Sequence, residues 1–156
     1  MKTTSVIRFT VLSVMLNCVT SSFLPIRKPK GHYANFIVKY GNSVSEDGLI
    51  MNAALSWGKW QQDEEDVTTV NHIVFNRAQA AKFKASGRDG SPSGAEGTFE
   101  IHVGGKKIAV VEFNIPYWGD NELSIRKFDE RFVCNQSGFT TDRSPTININ
   151  CFKISS

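Results

Sequence analysis

Apolar and polar residues alternate along much of the chain after residue 32. Residues 48–57 are the clearest case, with Leu49, Met51, Ala53, Leu55 and Trp57 at every second position. A period of two with one apolar face predicts a half-buried antiparallel strand. Residues 33–40 read as a first strand ended by Gly41-Asn-Ser, and 72–75 as a short apolar run. Residues 98–103, the turn Gly104-Gly105 and residues 106–114 have the pattern of a hairpin. Residues 77–84 compete for helix on propensity alone; lacking a long apolar stripe or a good cap, they are assigned to strand. Residues 122–128, 131–135 and 146–154 complete the set. Residues 61–66 form an acidic turn, and 87–97 are the longest turn-rich stretch. About eight or nine short strands at this spacing predict an all-β fold, a single-domain antiparallel β-sandwich over residues 33–156.

The first residues break this pattern. Lys2 and Arg8 precede an apolar run over residues 9–19, and small residues follow at Thr20-Ser-Ser22. That is the layout of a secretory signal peptide over residues 1–22, and its apolar run is too short to span a bilayer. Residues 23–32, with two prolines and three cations up to Gly31, are expected to form a loose arm. Losing Lys2 and Arg8 leaves 16 of the 18 cations against 15 acids, so the secreted form is nearly neutral. A nucleic-acid binder would carry a basic stripe, and none is visible. Cys18 departs with the leader, leaving Cys134 and Cys151. In a hairpin centred between Asp142 and Arg143 these two face each other. A disulfide and two buried thiols both remain open.

All three tryptophans lie in two aromatic–glycine stretches, Leu55-Ser-Trp-Gly-Lys-Trp60 and Ile115-Pro-Tyr-Trp-Gly-Asp120. An indole is large and apolar with one N–H donor, and it suits a core or a wet–dry boundary. A lysine between two such rings resists burial, so the first stretch is expected to leave the core with at least one ring near solvent.

Ala54-Leu-Ser-Trp-Gly-Lys-Trp60, residues 85–101 (Ala-Ser-Gly-Arg-Asp-Gly-Ser-Pro-Ser-Gly-Ala-Glu-Gly-Thr-Phe-Glu-Ile) and Ile115-Pro-Tyr-Trp-Gly-Asp-Asn121 together resemble the aegerolysin family, in order and spacing, over roughly residues 33–154. The resemblance implies an actinoporin-like sandwich that binds sphingolipid-containing membranes. It also implies, for some members, lysis together with a perforin-like (MACPF) partner and oligomerisation on the membrane. The sphingolipids named by the resemblance are ceramide phosphoethanolamine and sphingomyelin with cholesterol. This chain departs from the family at several places. Phe36 stands where several members have a tryptophan, and Ser86 and Ile115 stand where some have cysteines. Asp120-Asn121-Glu122 stands where some have a headgroup lysine, and many members lack a leader.

The lipid-facing residues that follow are Trp57, Trp60, Tyr117 and Trp118 as rings, Lys59 or Arg88 as the cation, and Phe36, Glu96 and Asn121 through the resemblance. Rings at a bilayer interface set their apolar body among acyl chains and their polar edge at headgroup depth. A ring face also holds a headgroup ammonium, while a cation pairs with phosphate. Trp60 and Trp118 are expected at the surface, and Trp57, on the apolar face of its strand, in the core. Arg88 would grip phosphate or instead pair with Asp89, Glu96 or Glu100. Ser93 competes with Glu96 for the acidic family position.

No catalytic, metal or cofactor site emerges. Gly90-Ser-Pro-Ser-Gly94 places proline where a hydrolase elbow needs its nucleophile. His32, His72 and His102 lack metal-ligand spacing, and Asp63-Glu-Glu-Asp66 lacks the pattern of a calcium loop. Asn135-Gln-Ser137 is the glycosylation sequon. The expected function is that of a secreted, non-enzymatic sphingolipid binder acting peripherally on membranes. A lectin-like carbohydrate-binding module is the alternative, since exposed tryptophans also stack on sugars.

Overall fold

A computed structural model describes residues 32–41 and 44–154; the expected leader, nearly all of the expected arm, residues 42–43 and the last two residues lie outside it. Eleven strands are present among the described residues. They are β1 (Tyr33–Tyr40), β2 (Gly48–Trp57), β3 (Lys59–Gln62), β4 (Glu65–Val67), β5 (Val74–Phe75), β6 (Ala81–Ser86), β7 (Ala95–Val103), β8 (Lys106–Ile115), β9 (Glu122–Lys127), β10 (Phe132–Ser137) and β11 (Thr146–Lys153). One sheet has the order β10-β11-β1-β6-β3-β4 and the other β5-β2-β7-β8-β9. All pairings are antiparallel except β1 with β11, which run parallel. The architecture is therefore the expected all-β sandwich, with one parallel seam that local patterning does not reveal. Of the helix-prone residues 77–84 assigned to strand, only 81–84 are strand, because β6 is held on both sides by β1 and β3 and that pairing overrides propensity, while 77–80 belong to the connection before it.

The core between the sheets is aromatic. Phe36, on the inward face of β1, meets Phe83 at 5.3 Å, Phe99 at 5.2 Å and Phe113 at 4.9 Å between ring centroids. Trp60 closes the cluster edge-on against Phe83 and Phe113, at 5.8 and 5.9 Å. Such offset and edge-to-face pairs add to the stabilisation from area burial.

The structure corrects two sequence expectations. Phe36 has no solvent exposure, so it cannot touch a lipid; it shares the inward parity of Ala34, Val38 and Tyr40. The tryptophans are exchanged as well: Trp57 is 47% exposed and Trp60 only 4%. The cause lies in β2, where strict alternation fails. Gly48 and Ile50 point inward at its start. The register against β7 then shifts between Met51 and Ala54, where Asn52 adopts φ 48°, and shifts again between Leu55 and Trp57. Each bulge exchanges the faces of the residues beyond it. Gly58 then carries the chain from one sheet to the other at φ 110°, where an added Cβ would meet the Ser86 carbonyl at 2.7 Å. Trp60 therefore enters the opposite sheet beside Ala85, on its inner face.

β10 and β11 pair so that Cys134 lies opposite Cys151, and the two sulfurs are bonded, 17 residues apart in sequence. Replacing both cysteines with serine is expected to lower stability by about 2–4 kcal/mol, as loop closure of this length implies. Urea unfolding of the variant and of the reduced parent should show the same loss.

The acidic turn expected over 61–66 narrows to a two-residue hairpin connection, since Gln61 and Gln62 belong to β3 and Glu65 and Asp66 to β4. Asp63 and Glu64 both have positive φ, 50° and 68°, as a type I′ turn requires. Exposed large apolar side chains collect at the two ends of the sandwich. Trp57 and Trp118 lie where β2 ends and β9 begins, and Val74, Phe128, Phe152 and Ile154 lie toward the Gly104-Gly105 end.

Candidate functional site

Three loops meet at the tryptophan-bearing end: the crossover at Gly58, the β6–β7 connection (residues 87–94) and the β8–β9 connection (residues 116–121). Between them lies a cleft of about 350 Å³, lined chiefly by Trp57, Pro92, Glu96, Asn114, Tyr117 and Trp118. Gly94 sets its floor: any side chain there would collide with the Ile115 carbonyl and Pro116, so only glycine lets these two loops touch backbone to backbone.

The aromatic wall has a fixed base and a free tip. Trp118 is 80% exposed and rests edge-on against Tyr117, at 5.1 Å and 82°. Tyr117 in turn stacks on His32 at 4.6 Å. His32 is buried, with Nδ1 2.9 Å from the Pro116 carbonyl oxygen. Its backbone N–H donates to the Ser93 carbonyl, and its own carbonyl accepts from Gly87 N–H. His32 thus ties the first strand to both loops. It is a positioning residue that reasoning from the sequence assigns to a loose arm. Its inward parity with Ala34 and Phe36 is the signal that could have found it.

Opposite this wall, the Arg88 guanidinium carbon sits 4.5 Å from the centroid of the Trp57 ring. Arg88 pairs with none of Asp89, Glu96 or Glu100, and its exposed N–H groups face solvent beside an exposed ring. Its own loop is closed by the Arg88 N–H donating to Ser93 Oγ at 2.8 Å, so Ser93 is a buried structural hydroxyl. Glu96 is exposed on the cleft rim and pairs across the ladder with Trp57 and Asn114.

Two residues of the expected set are engaged elsewhere. Lys59 Nζ lies 2.8 Å from both Asp66 Oδ2 and Asp89 Oδ2. Hydrogen bonds to Asp66 and then Asp89 raise its pKa above the ordinary lysine value, and its bond to Asp66, followed by that of Gln61, holds the Asp66 carboxyl below the carboxylate range. Lys59 therefore fastens the 87–94 loop to the β3–β4 hairpin, and Arg88 is left as the cation stacked on Trp57, a ring that lines the cleft. Asn121 donates its amide to the carbonyls of Thr140 and Asp142, both at 2.8 Å, and pins the neighbouring loop.

A second concavity of about 370 Å³ adjoins the cleft on the outer face of the five-stranded sheet, sharing Glu96 and Asn114 and adding Glu112 and Glu122. Among the described residues no three histidines, cysteines or carboxylates converge as a metal site would require. Among the same residues no helix is long and apolar enough to cross a membrane. The chemistry on offer at this end is aromatic contact and one carboxylate around an open cleft, with one guanidinium stacked on the Trp57 ring beside it.

Comparison with known proteins bears on the fold and the family. Asp-hemolysin of Aspergillus fumigatus is 34% identical over 109 residues, covering 64% of this chain and 78% of its own. The RahU protein, solved in complex with a Tris molecule, superposes with a TM-score of 0.73 at 20% identity, over 80% of this chain and 97% of its own. IP-1A from Alcaligenes faecalis gives 0.69 at 20% identity, over 82% and 95%. Nakanori, a lipid binding protein, gives 0.54 at 8% identity, over 78% and 71%, a likeness of fold alone. The family model described as Aegerolysin matches residues 35–153, nearly all of the described structure, and the chain belongs to the aegerolysin family.

Proposed function

We propose that the cleft binds the headgroup of a membrane sphingolipid, ceramide phosphoethanolamine or sphingomyelin with cholesterol, and that the protein does so as a secreted, non-enzymatic membrane binder. The observation that carries this reading is the pairing of two exposed indoles, Trp57 and Trp118, on one cleft, with the Arg88 guanidinium stacked on the first of them. Rings so placed enter the interfacial layer, where Trp and Tyr are most at home. Arg88 reaches lipid phosphate through charge-assisted hydrogen bonds. Glu96 faces the headgroup ammonium from the rim. Asp-hemolysin, by its name, supports a lytic context for the binding. In that context the chain supplies lipid recognition, assembles on the membrane, and recruits a MACPF-type pore former. The leader pattern of residues 1–22 supports export.

Sedimentation with vesicles containing ceramide phosphoethanolamine, sphingomyelin plus cholesterol, or phosphatidylcholine alone tests the proposal. Selective recovery with one of the sphingolipid vesicles is expected. Equal recovery with phosphatidylcholine overturns the specificity, and micromolar binding to a defined glycan without lipid binding overturns the proposal in favour of a lectin.

Arg88→Ala is expected to weaken binding to these vesicles by about tenfold, the scale of one lost cation–phosphate contact. Arg88→Lys should recover only part of it, because an ammonium lacks the planar fork that lies on Trp57 while bonding phosphate. Titration with labelled vesicles reads both.

A further inference from the structure

We propose that Asn135 is an N-glycan acceptor, and that the glycan is transferred before the Cys134–Cys151 bond closes. The proposal rests on the secretory reading, because the modification occurs only on that route. Asn135, Gln136 and Ser137 are all exposed. Neither the Asn135 amide nor the Ser137 hydroxyl has a hydrogen-bond partner among the described residues. Asn135 lies opposite Asn150 in the ladder, on the face of β10 that alternates with Cys134 and Phe132, and so points away from the core. The cleft lies at the end of the sandwich, and a glycan on this face leaves it clear.

The sheet edges give a second, independent reason. A strand edge invites pairing with another chain unless it is short, charged or covered. Of the four edge strands, β5 has two residues, β4 has three with two acids, and β9 carries Glu122, Arg126 and Lys127. β10, Phe-Val-Cys-Asn-Gln-Ser, is six residues long without a charge. It is the edge whose own composition gives no protection, and it is the one that carries the sequon.

The order of events follows from the register. β10 pairs in the sheet with β11 alone. Once the two are joined through six residue pairs and the adjacent Cys134 is bonded, the acceptor cannot leave the ladder to enter a transferase. In the transfer the Asn135 amide nitrogen bonds to the anomeric carbon of an oligosaccharide carried on a lipid diphosphate. The carbon–oxygen bond to the diphosphate breaks, the amide gives up one proton, and the lipid diphosphate leaves. Closure of the disulfide competes: two thiols pass two electrons and two protons to an oxidised dithiol oxidoreductase of the secretory lumen.

The test is expression of the full chain behind its own first 22 residues in a eukaryotic secretory host, with intact mass measured before and after peptide-N-glycosidase. A secreted population heavier by one glycan is expected, removed by the glycosidase, absent in Asn135→Gln and Ser137→Ala, and present in Ser137→Thr. Occupancy should rise at least twofold in total cell extracts of the Cys134→Ser/Cys151→Ser variant, and in the parent synthesised under dithiothreitol, which does not depend on the variant folding. A secreted, leader-free chain with bare Asn135 overturns the proposal and leaves the secretory reading standing. A chain retained in the cytosol with residues 1–22 attached overturns both. Unchanged occupancy without the disulfide overturns the order of events.

Discussion

Trp118→Ala is expected to cut binding to the target vesicle at least tenfold while leaving the melting temperature within about 2 °C of the parent. The side chain is 80% exposed, and its one ring contact is the edge-on meeting with Tyr117. Its removal opens no cavity, and exposed substitutions of this kind usually fall within about 0.5 kcal/mol of neutral. In the bound state the same ring is the outermost apolar group of the cleft, and its entry into the interface is lost entirely with alanine. Vesicle titration beside scanning calorimetry reads the two effects separately. A large fall in melting temperature with unchanged vesicle binding would show that the ring serves the fold and not the ligand. Trp57→Ala should also weaken binding, since it removes the surface on which Arg88 rests. Its effect on stability should stay small because the ring is half open to solvent.

Trp60→Ala should do the reverse. The indole is 4% exposed and closes the aromatic cluster edge-on against Phe83 and Phe113. Truncating a core ring of this size costs about 3–5 kcal/mol, part lost transfer and part cavity. Against a total of about 5–15 kcal/mol that is a large fraction. Urea unfolding should show the midpoint falling with the slope unchanged, and the molecules that remain folded should bind vesicles as the parent does. Trp60→Phe, which keeps a ring against the cluster, should recover more than half of the loss. If Trp60→Ala instead leaves stability intact and removes binding, Trp60 is the lipid contact and does not belong to the aromatic core.

The strands are legible in the sequence wherever burial is one-sided and regular. Tyr33–Tyr40 alternates cleanly because β1 lies mid-sheet with one face on the core. The Gly104-Gly105 turn announces its hairpin, and the symmetric placement of Cys134 and Cys151 announces theirs. The failures share a cause. Period two assumes an unbroken ladder, and two bulges in β2 followed by the Gly58 crossover exchange the environments of Trp57 and Trp60. Strands of two and three residues, β5 and β4, are too short to carry a period. The part of the site set by tertiary pairing is not legible either. Nothing near Lys59 in sequence says that Asp89, thirty residues on, will neutralise it, and nothing near Arg88 says that it will lie on Trp57. Phe36 enters the lipid-facing set by likeness alone, although its parity already places it inside.

β8 runs ten residues from the Gly104-Gly105 turn to the cleft. At about 3.4 Å per residue it spans roughly 30 Å. A molecule seated through Trp118 holds its opposite end that far above the bilayer. The Debye length at physiological ionic strength is about 8 Å, so the surface potential of an anionic leaflet has fallen to a few per cent of its value there. In that seating Lys106, Lys107 and Arg131, grouped toward that end, would be electrically invisible to the leaflet. Orientation on the membrane would then fall to the few groups at the tip, leaving the far end free to carry whatever charge its other contacts demand.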